Sequence, residues 1–251
     1  MNYLDQLVLF LISFLANTFS SFSGGGAGLI QFPALIFLGL SFSVALATHK
    51  VASVALGVGA ALRYLKSDRL ERIFVAIILA AGIPGVVLGA RLILFIPDKI
   101  ALIALGVLTG GLGIYSILKP ALGQNYVPKR RDFKGYCLGA SVLFFLGILN
   151  GSLTSGTGLF VTLWLVAWFG MDYQRAIAYT LILVGLFWNG SGALTLGLFG
   201  TIRWDWLPAL LAGSLLGGYL GTHLAIKHGN QLIKRAFEIV TLLISAKLLL
   251  G

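Results

Sequence analysis

Residues 21–52 read SFSGGGAGLIQFPALIFLGLSFSVALATHKVA, a glycine run followed by an apolar segment that closes on Thr48-His49-Lys50. Gly24, Gly25 and Gly26, with Gly28 just behind, break any helix they enter, because glycine costs about 1 kcal/mol against alanine in a helix interior. His49 and Lys50 then follow within an apolar run, where an ionisable group costs at least roughly 2.5 kcal/mol on insertion scales. Broken backbone and buried charge persist in a bilayer where they line a protein-enclosed cavity. The stretch therefore reads as half of a substrate site.

Working outward, the whole chain of 251 residues is 58% hydrophobic and only 10% charged, with a mean hydropathy of +0.97. A soluble globule carries roughly 25% charged residues, so this composition specifies an integral membrane protein. Its apolar runs are continuous rather than alternating, which makes the spans helical and excludes a β-barrel. The net charge of +10 sits in short loops, as membrane topology requires, and not in a basic stripe suited to nucleic acid. A single cysteine, Cys137, offers neither a disulfide nor a cysteine metal site, and it reads as a small packing residue. No cofactor or metal is expected. The N-terminus has no basic n-region and carries Asp5, so it reads as a first span and not a signal peptide.

Ten apolar segments are expected, at 4–22, 26–40, 43–65, 70–96, 99–118, 134–150, 156–170, 174–199, 205–226 and 231–250. The second and seventh are short for a crossing that needs about 20 residues, which suggests half-helices or re-entrant segments and about 8–10 transmembrane elements in an all-α fold. The loops 63–72, 119–134, 170–175 and 227–235 hold most of the Lys and Arg, whereas Arg91, Lys99 and Arg203 fall on the other side. This bias puts the dense loops in the cytoplasm and both termini outside. If segments 2 and 3 of each half instead form a hairpin that does not cross, every following loop keeps its side.

The loop 119–134, KPALGQNYVPKRRDFK, joins two halves that resemble each other at a steady offset. Gly28-Leu29 lies over Gly158-Leu159, Gly39 over Gly170, Ala45 over Ala176, His49 over Thr180, and Gly89-Ala90-Arg91-Leu92 over Gly221-Thr222-His223-Leu224. The expected organisation is a first repeat at 1–118, a cytoplasmic linker at 119–134 and a second repeat at 135–251. Five segments per half make the repeats inverted, and transporters of that design hold substrate near the midplane between interrupted helices.

The two interruptions are SFSGGGAG at 21–28 and NGSLTSGTG at 150–158. A glycine- and serine-rich helix start offers backbone N–H groups and the positive dipole end, a combination that binds small oxyanions. The candidate substrate-binding residues are Ser23, Gly24, Gly25, Gly26, Gly28, Gln31, Thr48, His49, Lys50, Asn150, Ser152, Thr154, Ser155, Gly156, Thr157 and Thr180, with Tyr179 and Asn189 behind them. Lys50 is the natural counter-charge, unless it snorkels to an interface. With no carboxylate at mid-depth, His49 is the sequence-visible proton carrier there, so any proton coupling runs through it. Gly82, Gly85, Gly89, Gly213, Gly217 and Gly221 read as close-packing positions, and Arg63 and Tyr64 as ordinary interfacial residues. Only Glu238 places an acid inside a segment, which argues against a carboxylate-relay cation pump.

Taken in order, SGGGAGLIQFP, GLSFSVALATHK, ALRYLKSDRL, GTGLFVTLWLVAWFGMDYQRAIAYT and GALTLGLFGTIRW resemble the sulfite exporter TauE/SafE family of membrane permeases, over about 15 to 250. The resemblance implies a polytopic permease of the bacterial cytoplasmic membrane, duplicated internally. It would move sulfite or another small inorganic or organosulfur anion, in many members outward, and a homodimer is compatible with it. The family usually has Ala-Thr-Ser where this chain has Ala47-Thr48-His49 and Ala178-Tyr179-Thr180, a difference within the proposed site. Two other classes remain as alternatives: a passive anion channel, which shares the same inventory, and an intramembrane hydrolase using Ser152 or Ser155 with a histidine.

Overall fold

The computed structural model describes residues 3–25, 27–65, 70–93, 98–153 and 156–250. These residues form helices and no strands: α1 (Tyr3–Ser23), α2 (Ala27–Phe37), α3 (Phe42–Tyr64), α4 (Arg72–Leu92), α5 (Asp98–Leu118), α6 (Phe133–Leu153), α7 (Thr157–Phe169), α8 (Tyr173–Phe199) and α9 (Leu207–Leu250). Helix α9 is broken at Gly229, whose φ of 77° and ψ of 176° end one helix and start another. The ten expected segments are thus present. Six helices among the described residues are long and apolar enough to cross a membrane, and their outward faces carry large apolar side chains such as Phe145, Leu194 and Leu198, the surface that lipid requires. Cys137 is exposed on that outer surface and is not a packing residue. Glu238, the acid inside a span, pairs with Lys234 one turn away.

Helix α2 has 11 residues and α7 has 13; at 1.5 Å per residue each is about 16 to 20 Å long, too short for a hydrocarbon core of about 30 Å. Both double back. Leu38, just past α2, borders the same groove as Leu4, Val8 and Leu9 of α1, and Asn17 of α1 reaches Gln31 of α2 at 3.3 Å. In the second half, Trp168 near the end of α7 donates to the Gly135 carbonyl at the start of α6, at 3.0 Å. The first and second segments of each half thus form a hairpin, and the second also folds against the third, where Gln31 meets His49 at 3.0 Å and Thr162 meets Thr180 at 2.9 Å. Glycine permits the tips: Gly24, Gly25 and Gly156 have φ of 93°, 136° and 74°, values that side chains resist.

The long helices pack through glycine. A Cβ on Gly213 or Gly217 of α9 would stand 2.6 or 2.5 Å from the Phe10 or Phe14 carbonyl oxygen of α1. Likewise Gly85 and Gly89 of α4 back onto the Phe144 and Ile148 carbonyls of α6. Such contacts bring backbones together where lipid gives no hydrophobic drive for helix association. Helices α1 and α6 each run beside a helix of the other half, and α3 and α8 cross between them, touching where Gly57 meets Gly185.

Candidate functional site

The two hairpin tips meet. A Cβ on Gly25 would lie 2.7 Å from the carbonyl carbon of Gly158 and 2.8 Å from the Leu159 nitrogen, so only glycine admits this approach. Thr162 of α7 fastens the contact by donating to the Gly24 carbonyl at 2.6 Å, and its Oγ1 lies 2.9 Å from that of Thr180. Beside the tips is a cavity of about 50 Å³ lined by Gly25, Gly28, His49, Asn150, Thr157 and Thr180, among others. Ser53 and Leu56 of α3, with Val184 and Asn189 of α8, complete it, which puts it halfway along both crossing helices. Among the described residues no Asp or Glu lines it. The first turns of α2 and α7 open on it, and the N–H groups of a first turn lie outside the helix's own ladder, at the positive dipole end.

Helix α8 is wound with π geometry from Thr180 to Trp188 along the cavity wall. Single-turn π segments are common at functional sites, and here the wide winding follows the stretch that faces the tips. Trp188 anchors it by donating to the Ile78 carbonyl of α4 at 3.1 Å.

His49 is 2% exposed and held at both nitrogens. Nδ1 lies 3.0 Å from Gln31 Oε1, and Nε2 lies 3.2 Å from Ser53 Oγ. An amide oxygen only accepts, so Nδ1 carries the hydrogen and, in the neutral ring, Nε2 accepts from Ser53. The ring thus turns its basic nitrogen toward the cavity-lining hydroxyl. Gln31 in turn donates to Ser13 Oγ at 3.1 Å, and Asn17 donates to Ser214 Oγ at 3.0 Å. This polar chain carries the histidine's second partner back to α1 and α9.

Lys50 is fully buried. Its ammonium donates to the Asn150 carbonyl at 2.8 Å, to Asn150 Oδ1 at 3.1 Å and to Asn189 Oδ1 at 3.4 Å. It therefore does not snorkel, and it reaches the cavity through two asparagines that line it. Asn150 passes the order on, its Nδ2 donating to Thr157 Oγ1 at 2.9 Å. These three partners are neutral amide oxygens of residues that line the cavity. In a low-dielectric interior the ammonium charge attracts an anion strongly.

The model of the sulfite exporter TauE/SafE family matches residues 9–248. The chain belongs to this family. It is 31% identical over 242 residues to a "Probable membrane transporter protein" of Haemophilus influenzae, covering 96% of this chain and 93% of the relative. It is 28% identical to the "Probable membrane transporter protein YfcA" of Escherichia coli K12, covering 96% and 88%. A Sinorhizobium relative, "Probable membrane transporter protein ORF9", is 29% identical over 96% of this chain and 91% of its own length. The protein is thus a multi-pass membrane transporter of the TauE/SafE family.

Within this TauE/SafE chain the sequence-based candidates separate into two groups. Gly25, Gly28, His49, Asn150, Thr157 and Thr180 line the cavity, and Gln31 and Lys50 position groups that do. The remainder act elsewhere. Gly24 directs its N–H group to the Ser20 carbonyl, capping α1, as the N–H of Gly25 also does. Ser23 donates to Phe19 O, and Ser152 to Ile148 O, within their own helices. Thr48 accepts from the Arg203 N–H at 3.0 Å, tying α3 to the loop after α8. Gly156 forms the left-handed turn before α7. Gly26, Thr154 and Ser155 lie outside the described residues. Sequence reasoning missed Ser20 and Ser53, although Ser53 follows His49 by four residues and so shares its helix face. Ser152 is engaged by its own helix, and His49 pairs with Ser53 and a neutral amide where hydrolase triads use a carboxylate.

Proposed function

We propose that this protein is a secondary transporter of sulfite or a closely related small sulfur oxyanion, held in the cavity where the two hairpin tips meet. The observation that carries the reading is that meeting itself: two glycine-built tips and two helix N-termini surround one cavity halfway along the crossing helices, with a lysine held against two of its asparagines and no carboxylate among its described lining residues. A cavity of about 50 Å³ has room for a compact inorganic ion or a few waters, one probe-sized water needing about 10–15 Å³. That favours an inorganic oxyanion over a bulkier organosulfonate.

The same reading takes residues 1–118 and 135–251 as inverted repeats joined by a cytoplasmic linker at 119–134. Its support is the exchange symmetry of the packing, in which α1 runs with the first part of α9 as α6 runs with α4. The Lys- and Arg-rich loops favour both termini outside a cytoplasmic membrane, and the exporter family to which the chain belongs favours sulfite moving outward. His49, with Nε2 directed to Ser53 at the cavity wall, is the group through which a proton would couple. The test is efflux of radiolabelled sulfite from proteoliposomes. Saturable flux that depends on the protein is expected, and equal flux with and without protein overturns the proposal.

A further inference from the structure

At the linker end of the bundle a second cavity of about 30 Å³ is lined by Tyr64, Glu71, Arg175 and Tyr179, together with apolar groups. Its wall and that of the central cavity follow one another along α8, where Tyr179 borders one and Thr180 the other. Tyr64, at the end of α3, is only 6% exposed, and its hydroxyl has no hydrogen-bond partner. Folded proteins rarely leave a buried hydroxyl so. A belt residue would place that group in water or headgroups.

The charges around this cavity are already sorted. Glu71 is engaged by Arg131, whose two terminal nitrogens lie 2.8 and 3.3 Å from its oxygens, and by the Tyr126 hydroxyl at 2.9 Å. Its backbone N–H donates to Tyr179 Oη at 2.6 Å. Arg175 contacts Asp172 through Nε at 3.3 Å and stacks over the Tyr126 ring at 4.2 Å. Stacking and a single Nε contact fix the plane of the guanidinium at the cavity wall. A positively charged fork and an unpartnered phenol thus border one small space.

We infer that this cavity is a subsite for the transported oxyanion, occupied at the linker face before the anion passes Tyr179 into the central cavity. This rests on the transport reading above. Tyr64 donates its hydroxyl hydrogen to the anion, Arg175 supplies the charge, and Tyr179 stands between the two cavities.

The test uses the full-length protein in membrane vesicles of both orientations, sorted by protease access to Lys129–Arg131 in the linker. Initial rates are measured with radiolabelled sulfite presented at either face. Tyr64→Phe and Arg175→Gln should each raise the half-saturating sulfite concentration about threefold to tenfold at the linker face, the size of one lost hydrogen bond or more. The maximal rate and the value at the opposite face should stay unchanged. Tyr64→Phe removes an oxygen that holds nothing in the fold, so its melting temperature should not fall. Wild-type values at the linker face for both variants overturn the subsite and mean water alone fills it. Equal shifts at both faces overturn it in favour of the central cavity, and a lower melting temperature for Tyr64→Phe overturns it in favour of a structural hydroxyl. A wild-type protein that moves no sulfite at either face overturns the transport reading itself, and the subsite falls with it.

Discussion

Gln31 and His49 of the first half stand at the same offset as Thr162 and Thr180 of the second, and both pairs join the short helix of a hairpin to the crossing helix that follows. Their chemistry differs. The first pair is an amide on an imidazole, backed by Ser13, Asn17 and Ser214; the second is two hydroxyls, tied to the other half's tip through Gly24. The neighbouring position differs in the same sense, Lys50 standing over Leu181. A shared backbone plan thus holds the titratable chemistry of the described residues at the cavity on one side. In the proposed transport reading the first half carries charge and protons, and the second supplies neutral donors and the closing contact.

The comparison breaks most readily at the tips. Gly25→Ala should abolish sulfite flux and lower stability by about 3 kcal/mol, since it combines a forbidden φ with overlap onto the Gly158 backbone. Gly158→Ala meets its nearest atoms at 3.3 and 3.4 Å and should keep flux within about threefold of wild type, because a contact this slightly tight is relieved by a small shift. Comparable losses in both would mean that the two tips are equivalent after all. Thermal unfolding in detergent and proteoliposome flux measure the pair.

Charge comes next. Lys50→Met keeps the stem against Gly192 but removes the ammonium from Asn150 and Asn189. Sulfite affinity should fall at least about tenfold, or roughly 1.4 kcal/mol, whereas Leu181→Met should leave it unchanged. Competition binding at fixed pH reads both.

The proton assignment is sharpened by His49→Gln against Thr180→Val. The first should flatten the pH dependence of flux, since glutamine fills the site without a titratable ring nitrogen. The second should weaken sulfite binding about threefold to tenfold, the loss of one hydroxyl contact, and leave the shape of the pH profile intact. A pH profile that survives His49→Gln moves proton coupling elsewhere.

The smallest effect lies in the linker, which docks on the second half through backbone bonds from Val127 to Gly170 and from Lys129 to Phe169. Partial burial would raise the Glu71 carboxyl, but its hydrogen bonds to Arg131 and Tyr126 and the charges of Arg131 and Arg175 hold it below the ordinary 4.5. A depressed carboxyl stabilises docking above its ordinary value, and that contribution is lost as pH falls through the lower docked value. Hydrogen exchange of residues 119–132 should therefore quicken only below about pH 4.5. Because the pair is more than a third exposed on the Glu71 side, Glu71→Gln should cost no more than about 1 kcal/mol.

Much of this was legible because the bilayer writes strong rules into sequence. Continuous apolar runs gave the ten segments, the short second and seventh runs marked the hairpins, and clustered glycines marked their tips. Which segments pair into hairpins was not legible, since a short helix after a glycine break can return beside the helix before it or after it. Lys50 showed the same limit. Its depth followed from its neighbours in the chain, but its partners Asn150 and Asn189 lie 100 and 139 residues away.

Composition, segment length and charge placement by themselves determined a helical membrane protein with two glycine-rich interruptions, because lipid leaves the backbone no other way to satisfy its hydrogen bonds. Only the tertiary structure decided that the interruptions touch, that Ser53 and not Ser152 meets His49, and that Tyr64 is buried without a partner. Those facts depend on how helices far apart in sequence cross and close, and such contacts leave no local pattern along the chain.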